Sequence, residues 1–378
     1  MLNFYLIWSF SYVLLLWLIS RTWRNQPAKL KVSGLKKSVS VLIPFRNELE
    51  NLPDLIRSIR KLSHPQVEIL LIDDQSEDGS FEFLENGLTD NPEIRILKSP
   101  GAGKKEAIEY GVKHSTGEII LSSDADCYFG ADWISNMVAP FIDERVQLVA
   151  GPVITLESST VFQRFQQLDW ASILVVTNYF FQKKNPVMCS AANMAYRKSA
   201  FLLVNGFEGN KSFLSGDDEF LLKKITNQYS GESCVYLNQA EVLVITKSMK
   251  SWADLLNQRI RWAGKWKAHQ SLFHGLAALI PFLIQVVWML SFLFLFQIEY
   301  GGYVILLSWS LKIIVEKQVL GSVLSSYSFP ADWSDAIVTG LAHPVYVMAV
   351  GAGVLRGKFN WKGRNNLRSV NLADKISQ

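Results

Sequence analysis

The sequence predicts an α/β fold, with a mostly parallel sheet in a cytoplasmic central domain bracketed by transmembrane helices at both termini. Three observations predict it. Of 378 residues, 49% are hydrophobic and only 19% charged, against about a quarter charged in soluble domains. The apolar excess gathers at the two ends. Between them, β-branched runs alternate with helical patterns at the spacing a parallel sheet requires. The abundance of aromatic and branched residues excludes disorder as the dominant state, and the length suggests two or three domain-sized units. Three cysteines, Cys127, Cys189 and Cys234, have no paired spacing, which argues against a disulfide scaffold or a Cys-based zinc site. A net charge of +4 is too mild for a nucleic-acid partner.

The elements follow in order. Residues 1–20 carry no charge, and Arg21, Arg24, Lys29, Lys31, Lys36 and Lys37 follow with no acid among them. This reads as a retained spanning helix and a basic juxtamembrane linker (21–37) on the cytoplasmic side. A cleaved signal peptide would want a basic start and a small-residue cleavage site, and neither is present. In the α/β domain (38–248), strands are expected at Val39–Pro44, Val67–Asp73, Glu93–Leu97 and Glu118–Ser122, with helices at Glu48–Leu62 and Lys104–His114. Residues 249–272 read as an amphipathic helix at the membrane surface, rich in Trp and Lys.

Two or three membrane helices are expected over 273–355. Gly275–Ile298 is uncharged and reads as a spanning helix, and Ala336–Leu355 as another. Between them Lys312, Glu316 and Lys317 interrupt an apolar stretch, so Tyr303–Leu324 is expected as a re-entrant or interfacial hairpin with Lys312 and Glu316 paired. The loop Ser325–Asp335 has two acids and no Lys or Arg and is expected outside. A basic tail (356–378) closes the chain, and three or four crossings result.

Ligands of open α/β sheets bind beyond the carboxyl ends of the strands, and three strand ends here carry suggestive residues. The first ends in Pro44-Phe-Arg46-Asn-Glu48, the second in Asp73-Asp74-Gln-Ser, and the fourth in Asp124-Ala-Asp126. Turn chemistry alone would explain any one of them. Two carboxylates flanking one small residue can also give Mg2+ or Mn2+ a partial oxygen shell that substrate phosphates complete. There is no HExxH and no GxxxxGK[ST] loop, which disfavours zinc hydrolysis and P-loop chemistry.

In this order the set resembles the membrane-bound inverting glycosyltransferases of family 2. Leu71-Ile-Asp73-Asp74-Gln-Ser is similar to their DD.S element, Gly103-Lys104 to a GK segment, and Asp124-Ala-Asp126 to the DxD motif. Gly216-Asp217-Asp218 resembles the [TG][ED]D element, Gln258-Arg-Ile-Arg261-Trp262 fits QxxRW, and Lys358–Arg364 resembles a tail of membrane-bound members.

The resemblance implies a GT-A fold, Rossmann-like, and transfer of a hexosyl unit from a nucleotide sugar, UDP-linked by expectation, to a membrane-associated acceptor such as a polyprenyl-linked glycan. Cell-envelope glycan synthesis at a bacterial cytoplasmic membrane is the implied setting. It further implies that Pro44, Arg46 and Glu48 line the nucleoside pocket, that Asp74 binds the base with Asp73 supporting, and that Lys104 reaches phosphate. Asp126 is implied as the main metal ligand, with Asp124 on ribose or metal, and a divalent cation, Mn or Mg, as cofactor. Asp218 would be the catalytic base, oriented by Asp217. Gln258 and Arg261 would serve the diphosphate and Trp262 the acceptor. Ala191 stands where these enzymes commonly have Gly.

Rival readings are a processive polysaccharide synthase of the same family, a non-catalytic scaffold with a sugar-nucleotide pocket, and a transporter suggested by Lys312 and Glu316.

Overall fold

A computed structural model describes residues 2–24, 37–64, 66–88, 93–156, 158–211, 213, 215–265, 272–296, 299–357, 360–361 and 364–365. Lys29, Lys31, Lys36, Trp266, Lys267 and most of the basic tail lie outside them. The chain forms two compact units, Met1–Ser248 with Leu290–Ala342, and Met249–Met289 with His343–Gln378.

The first unit is built on a sheet of seven strands. In chain order the strands are β1 (Val39–Phe45), β2 (Val67–Asp73), β3 (Ile94–Lys98), β4 (Ile119–Ser122), β5 (Cys127–Phe129), β6 (Leu148–Ala150), β7 (Val153–Thr155), β8 (Met194–Arg197), β9 (Cys234–Tyr236) and β10 (Val244–Thr246). The main sheet runs β3-β2-β1-β4-β8-β6-β9, and β5-β10-β7 form a second, smaller one. Strands β3, β2, β1 and β4 are mutually parallel, and β8 is antiparallel to both its neighbours. The largely apolar strands β1 and β4 are buried along their whole length, as strands covered on both faces must be. Each fully buried Leu or Ile there contributes roughly 1.5–3 kcal/mol.

The helices are α1 (Leu2–Arg24), α2 (Leu52–Ile59), α3 (Ser80–Gly87), α4 (Lys104–His114), α5 (Trp133–Val138), α6 (Val161–Gln182), α7 (Lys198–Leu203), α8 (Asp217–Tyr229), α9 (Trp252–Ala263), α10 (Leu272–Leu290), α11 (Gly301–Ser325) and α12 (Trp333–Arg356). Helix α4 lies hard against the sheet because Gly111 faces β1 and β2. A Cβ at that position would overlap the Leu42 and Ile72 side chains.

Within the first unit α1 and α11 pack side by side in the same direction, and α6 packs on both. Tyr12 donates to Glu316 (2.6 Å) and Trp23 to Ser326 (3.3 Å). Helix α11 is one unbroken helix, which corrects the expected hairpin. Its interrupting charges are absorbed internally. Lys312, fully buried, donates to Glu316 (2.8 Å) and to the Gly340 carbonyl (2.9 Å).

The loop after α11 also departs from expectation, because it lies against the α/β domain. Tyr327 donates to the Asn238 carbonyl (3.1 Å), and buried Asp335 pairs with Arg164 of α6 (2.9 Å). The helix expected over Gly275–Ile298 ends at Leu290, where a 3-10 turn over Ser291–Phe296 begins. That turn is pinned to α11 by the Trp309 indole, which donates to Ser291 Oγ (2.9 Å). Among the described residues two helices are long and apolar enough to cross a membrane, Asn3–Trp23 and Trp333–Arg356.

In the second unit, α9 starts where Ser251 Oγ accepts from the Asp254 amide (3.2 Å), an N-cap worth about 1 kcal/mol. Two glycines of α12 admit its neighbours. Gly351 faces Phe282 of α10, and Gly353 faces Ile260 of α9.

Candidate active site

The carboxyl ends of β1, β2 and β4 lie side by side, so the loops that leave them meet. Asp73 accepts the Ser76 amide on its own side chain (3.0 Å), closing the turn after β2. Asp74, almost fully buried, reaches the loop before α4 and accepts the Gly103 amide (2.6 Å). The next residue, Lys104, opens α4 and points into the site.

Lys104 Nζ lies 2.6 Å from Asp124 Oδ1 and 3.1 Å from Asp217 Oδ2. Burial alone would lower its pKa, but the carboxylates of Asp124 and Asp217, with Asp218 beyond, outweigh burial and raise it. One ammonium therefore joins the loop after β4 to the start of α8, two segments more than ninety residues apart in sequence. The adjacent Lys105 is buried and turned away. It donates to the carbonyls of Asn210 (2.8 Å) and Phe213 (3.0 Å), fastening the segment that leads to Asp217.

Helix α8 starts after Gly216, whose φ of 88° is left-handed, a conformation that costs other residues about 1–2 kcal/mol. The turn delivers Asp217 and Asp218 to the first helical positions, where free amides and the helix dipole favour negative charge. Asp218 Oδ1 accepts the Glu219 amide (2.7 Å), and its Oδ2 accepts the Ala191 amide (3.4 Å). Ala191 thus contributes through its backbone. Buried Tyr196, on β8, has its phenol pKa raised by burial and by Asp217.

Asp126 Oδ2 accepts from Thr246 Oγ1 (3.1 Å), and the Cys127 thiol leans on Oδ1 (3.7 Å). Burial, then Asp126 and Asp124, push that thiol up. Among the described residues no group of three or more His, Cys, Asp or Glu forms a cage for a metal. Asp124 and Asp126 offer hard oxygens from one loop. This donor set suits a cation that keeps water and phosphate oxygens in its shell.

Three sequence-predicted pocket residues have other partners. Pro44 is buried within β1 opposite Ile72. The Arg46 guanidinium donates to the backbone carbonyls of Asp74 (2.9 Å) and Gln75 and pairs with Glu77 (3.2 Å). Glu48 accepts from the Asn51 side chain, and its own amide donates to Ser80 Oγ (2.9 Å). These contacts clasp the loop after β1 to the loop after β2.

Gln258, Arg261 and Trp262 belong to the second unit, on α9. There the buried Arg259 guanidinium lies 4.3 Å from the centre of the Trp262 ring and donates to Gln258 (2.6 Å). Thr246, Lys105, Asn193 and Arg259 carry contacts that the sequence reading missed. Asn193 is wholly buried, accepting from the Trp133 indole (2.9 Å) and donating to the Pro152 and Val242 carbonyls. Only Arg259 had a signal, since it sits inside the QxxRW pattern.

Residues 40–203 match the family model described as Glycosyl transferase family 2. Among solved structures the chain is similar to the mannosyltransferase PcManGT from Pyrobaculum calidifontis in complex with GDP-Man and Mn2+. The TM-score is 0.58 at 16% identity, covering 94% of this chain and 97% of that one. Glucosyl-3-phosphoglycerate synthase from Mycobacterium tuberculosis, in complex with Mn2+, UDP and glucosyl-3-phosphoglycerate, gives a TM-score of 0.43 at 16% identity, over 67% of this chain and 85% of that one. Residues 40–203 therefore resemble a family 2 glycosyltransferase domain, and the first of these solved structures shares the α/β fold of the chain.

Proposed function

We propose that the protein transfers a glycosyl unit from a nucleoside-diphosphate sugar to a hydroxyl of a membrane-associated acceptor, with inversion and with a divalent cation bound. The observation that carries this reading is Lys104, whose ammonium lies between Asp124 and Asp217. The contact supports the reading by joining one candidate cation-binding carboxylate to the helix start that carries the candidate base.

In this reading Asp218 accepts the proton of the acceptor hydroxyl. The hydroxyl oxygen bonds to the anomeric carbon from the face opposite the diphosphate. The anomeric carbon–oxygen bond breaks, its electron pair leaves on the diphosphate, and configuration inverts. The amides of Ala191 and Glu219 hold the Asp218 carboxylate in one orientation. Lys104, paired with Asp124 and Asp217, brings a positive charge to the departing diphosphate. Asp124 and Asp126 would hold Mn2+ or Mg2+, which when bound neutralises charge on the leaving diphosphate. Asp74 and the clasped loops after β1 and β2 form the nucleoside end of the site.

The membrane setting is supported by the outward faces of α1 and α12. Phe4, Ile7, Phe10 and Trp17 on α1, and Val345 and Leu355 on α12, are each half or more exposed. A buried core helix of a soluble protein would not leave such side chains in water. By the positive-inside rule the α/β domain is cytoplasmic.

The test uses detergent-purified protein, radiolabelled UDP- and GDP-sugars and membrane lipid extract, with and without Mn2+ or Mg2+. Metal-dependent transfer is expected, and Asp218→Asn should lower turnover roughly 100- to 10,000-fold while nucleotide binding persists. Unchanged turnover would remove Asp218 from the role of base. The QxxRW pattern on α9 favours one variant of this reading, a processive synthase. A ladder of many sugars on one acceptor would establish that variant over single transfer.

A further inference from the structure

Strand β10 enters the candidate active site from its own small sheet, and no motif of the sequence points to it. Thr246, its last residue, pairs across the ladder with Cys127, the residue that follows Asp126. This register brings Thr246 Oγ1 to 3.1 Å from Asp126 Oδ2, where the hydroxyl donates. The next residue, Lys247, reaches the other side of the site. Its Nζ lies 2.7 Å from Asn51 Oδ1 and 3.6 Å from Asp54 Oδ2, and Asp54 also accepts from Tyr128 (2.9 Å). The end of β10 is therefore tied both to the Asp124–Asp126 loop and to the segment after β1.

We infer that Thr246 is a positioning residue for the cation site, its hydroxyl fixing the orientation in which the Asp126 carboxylate is offered to a metal, with the Cys127 thiol on the other oxygen. This rests on the reading of Asp126 as a metal ligand. A carboxylate on the four-residue loop between β4 and β5 can rotate about its terminal bond, and a hydroxyl donor on one oxygen restricts that rotation. Outer partners of this kind are worth 10- to 100-fold in metal affinity. The ladder pairing with Cys127 makes the hydroxyl's position a property of the backbone.

The experiment measures Mn2+ affinity of the full-length, detergent-purified chain by electron paramagnetic resonance, which counts free Mn2+, in the presence of excess UDP or GDP. Nucleotide affinity without metal is measured alongside as a check of the fold. Thr246→Val keeps the side-chain shape and removes the donor, and should raise the Mn2+ Kd at least tenfold with metal-free nucleotide affinity unchanged. Thr246→Ser restores the hydroxyl and should return the Kd to within about twofold of the parent.

A Thr246→Val Kd within twofold of the parent would overturn the inference, as would a Thr246→Ser Kd as weak as that of the valine variant. Asp126→Asn separates this failure from that of the underlying reading. Mn2+ binding unchanged by that substitution would remove Asp126 as a ligand, and the role of Thr246 with it.

Discussion

Glu68 shows how one side chain can tie strands together. It sits on β2 and accepts from the Ser40 hydroxyl on β1 and from the Thr116 amide ahead of β4. Burial pushes its carboxyl up, but these hydrogen bonds outweigh burial and hold it below the ordinary range. A depressed folded-state pKa stabilises the fold above the unfolded value, and the contribution disappears as pH falls through the folded one. Glu68→Gln is therefore expected to cost about 1–2 kcal/mol at neutral pH. The deficit should shrink as pH drops below about 4.5, the ordinary glutamate range. Thermal unfolding of both proteins at pH 7 and pH 3.5 checks it, and a gap that widens in acid would contradict the assignment. At this scale the sequence marked residue types well and partners poorly. Asp73, Asp74, Asp124, Asp126, Asp217 and Asp218 stand out by spacing. That Arg46 spends its guanidinium on carbonyls of the neighbouring loop depends on strand order, which spacing does not encode.

Helix α4 is the element on which the site turns, because it carries Lys104 at its first position and Gly111 on its buried face. Its depth over the sheet is set by the missing Cβ. Gly111→Ala should cost about 1–3 kcal/mol through overpacking against Leu42 and Ile72, and by lifting the helix should withdraw Lys104 from Asp124 and Asp217. The expected result is a lower thermal midpoint together with weaker nucleotide-sugar binding. A loss of stability with unchanged binding would separate the helix from the site. The bounds of α4 and the run of β2 agree with the periodicity of the sequence, because local pattern and burial coincide there. Helix α11 was misread for the opposite reason. Lys312 and Glu316 look like a break in an apolar segment, yet Tyr12 and the Gly340 carbonyl, contributed by distant helices, satisfy them.

The first unit joins the start of the chain to the segment Leu290–Ala342. Helices α1 and α11 meet through Tyr12, Glu316 and Lys312, and both rest on α6 of the α/β domain. Glu316→Gln would remove the carboxylate that buried Lys312 pairs with, and breaking a buried pair costs about 3–5 kcal/mol. Its midpoint in detergent should fall clearly, and adding Lys312→Met should recover part of the loss. A double variant less stable than the single one would show that the ion pair is not the source.

This pairing also sets a problem of timing. Tyr12 and Glu316 are 304 residues apart, so at synthesis rates of about 5–20 residues per second roughly 15–60 s of translation separate them. Throughout that interval α1 is finished and its partner does not yet exist. The apolar surface that α6 turns toward both helices is equally uncovered. A nascent chain in this state needs shelter for the apolar face of α1 until the last fifth of the protein emerges. Chains arrested before α11 should therefore be the ones that cellular quality control removes.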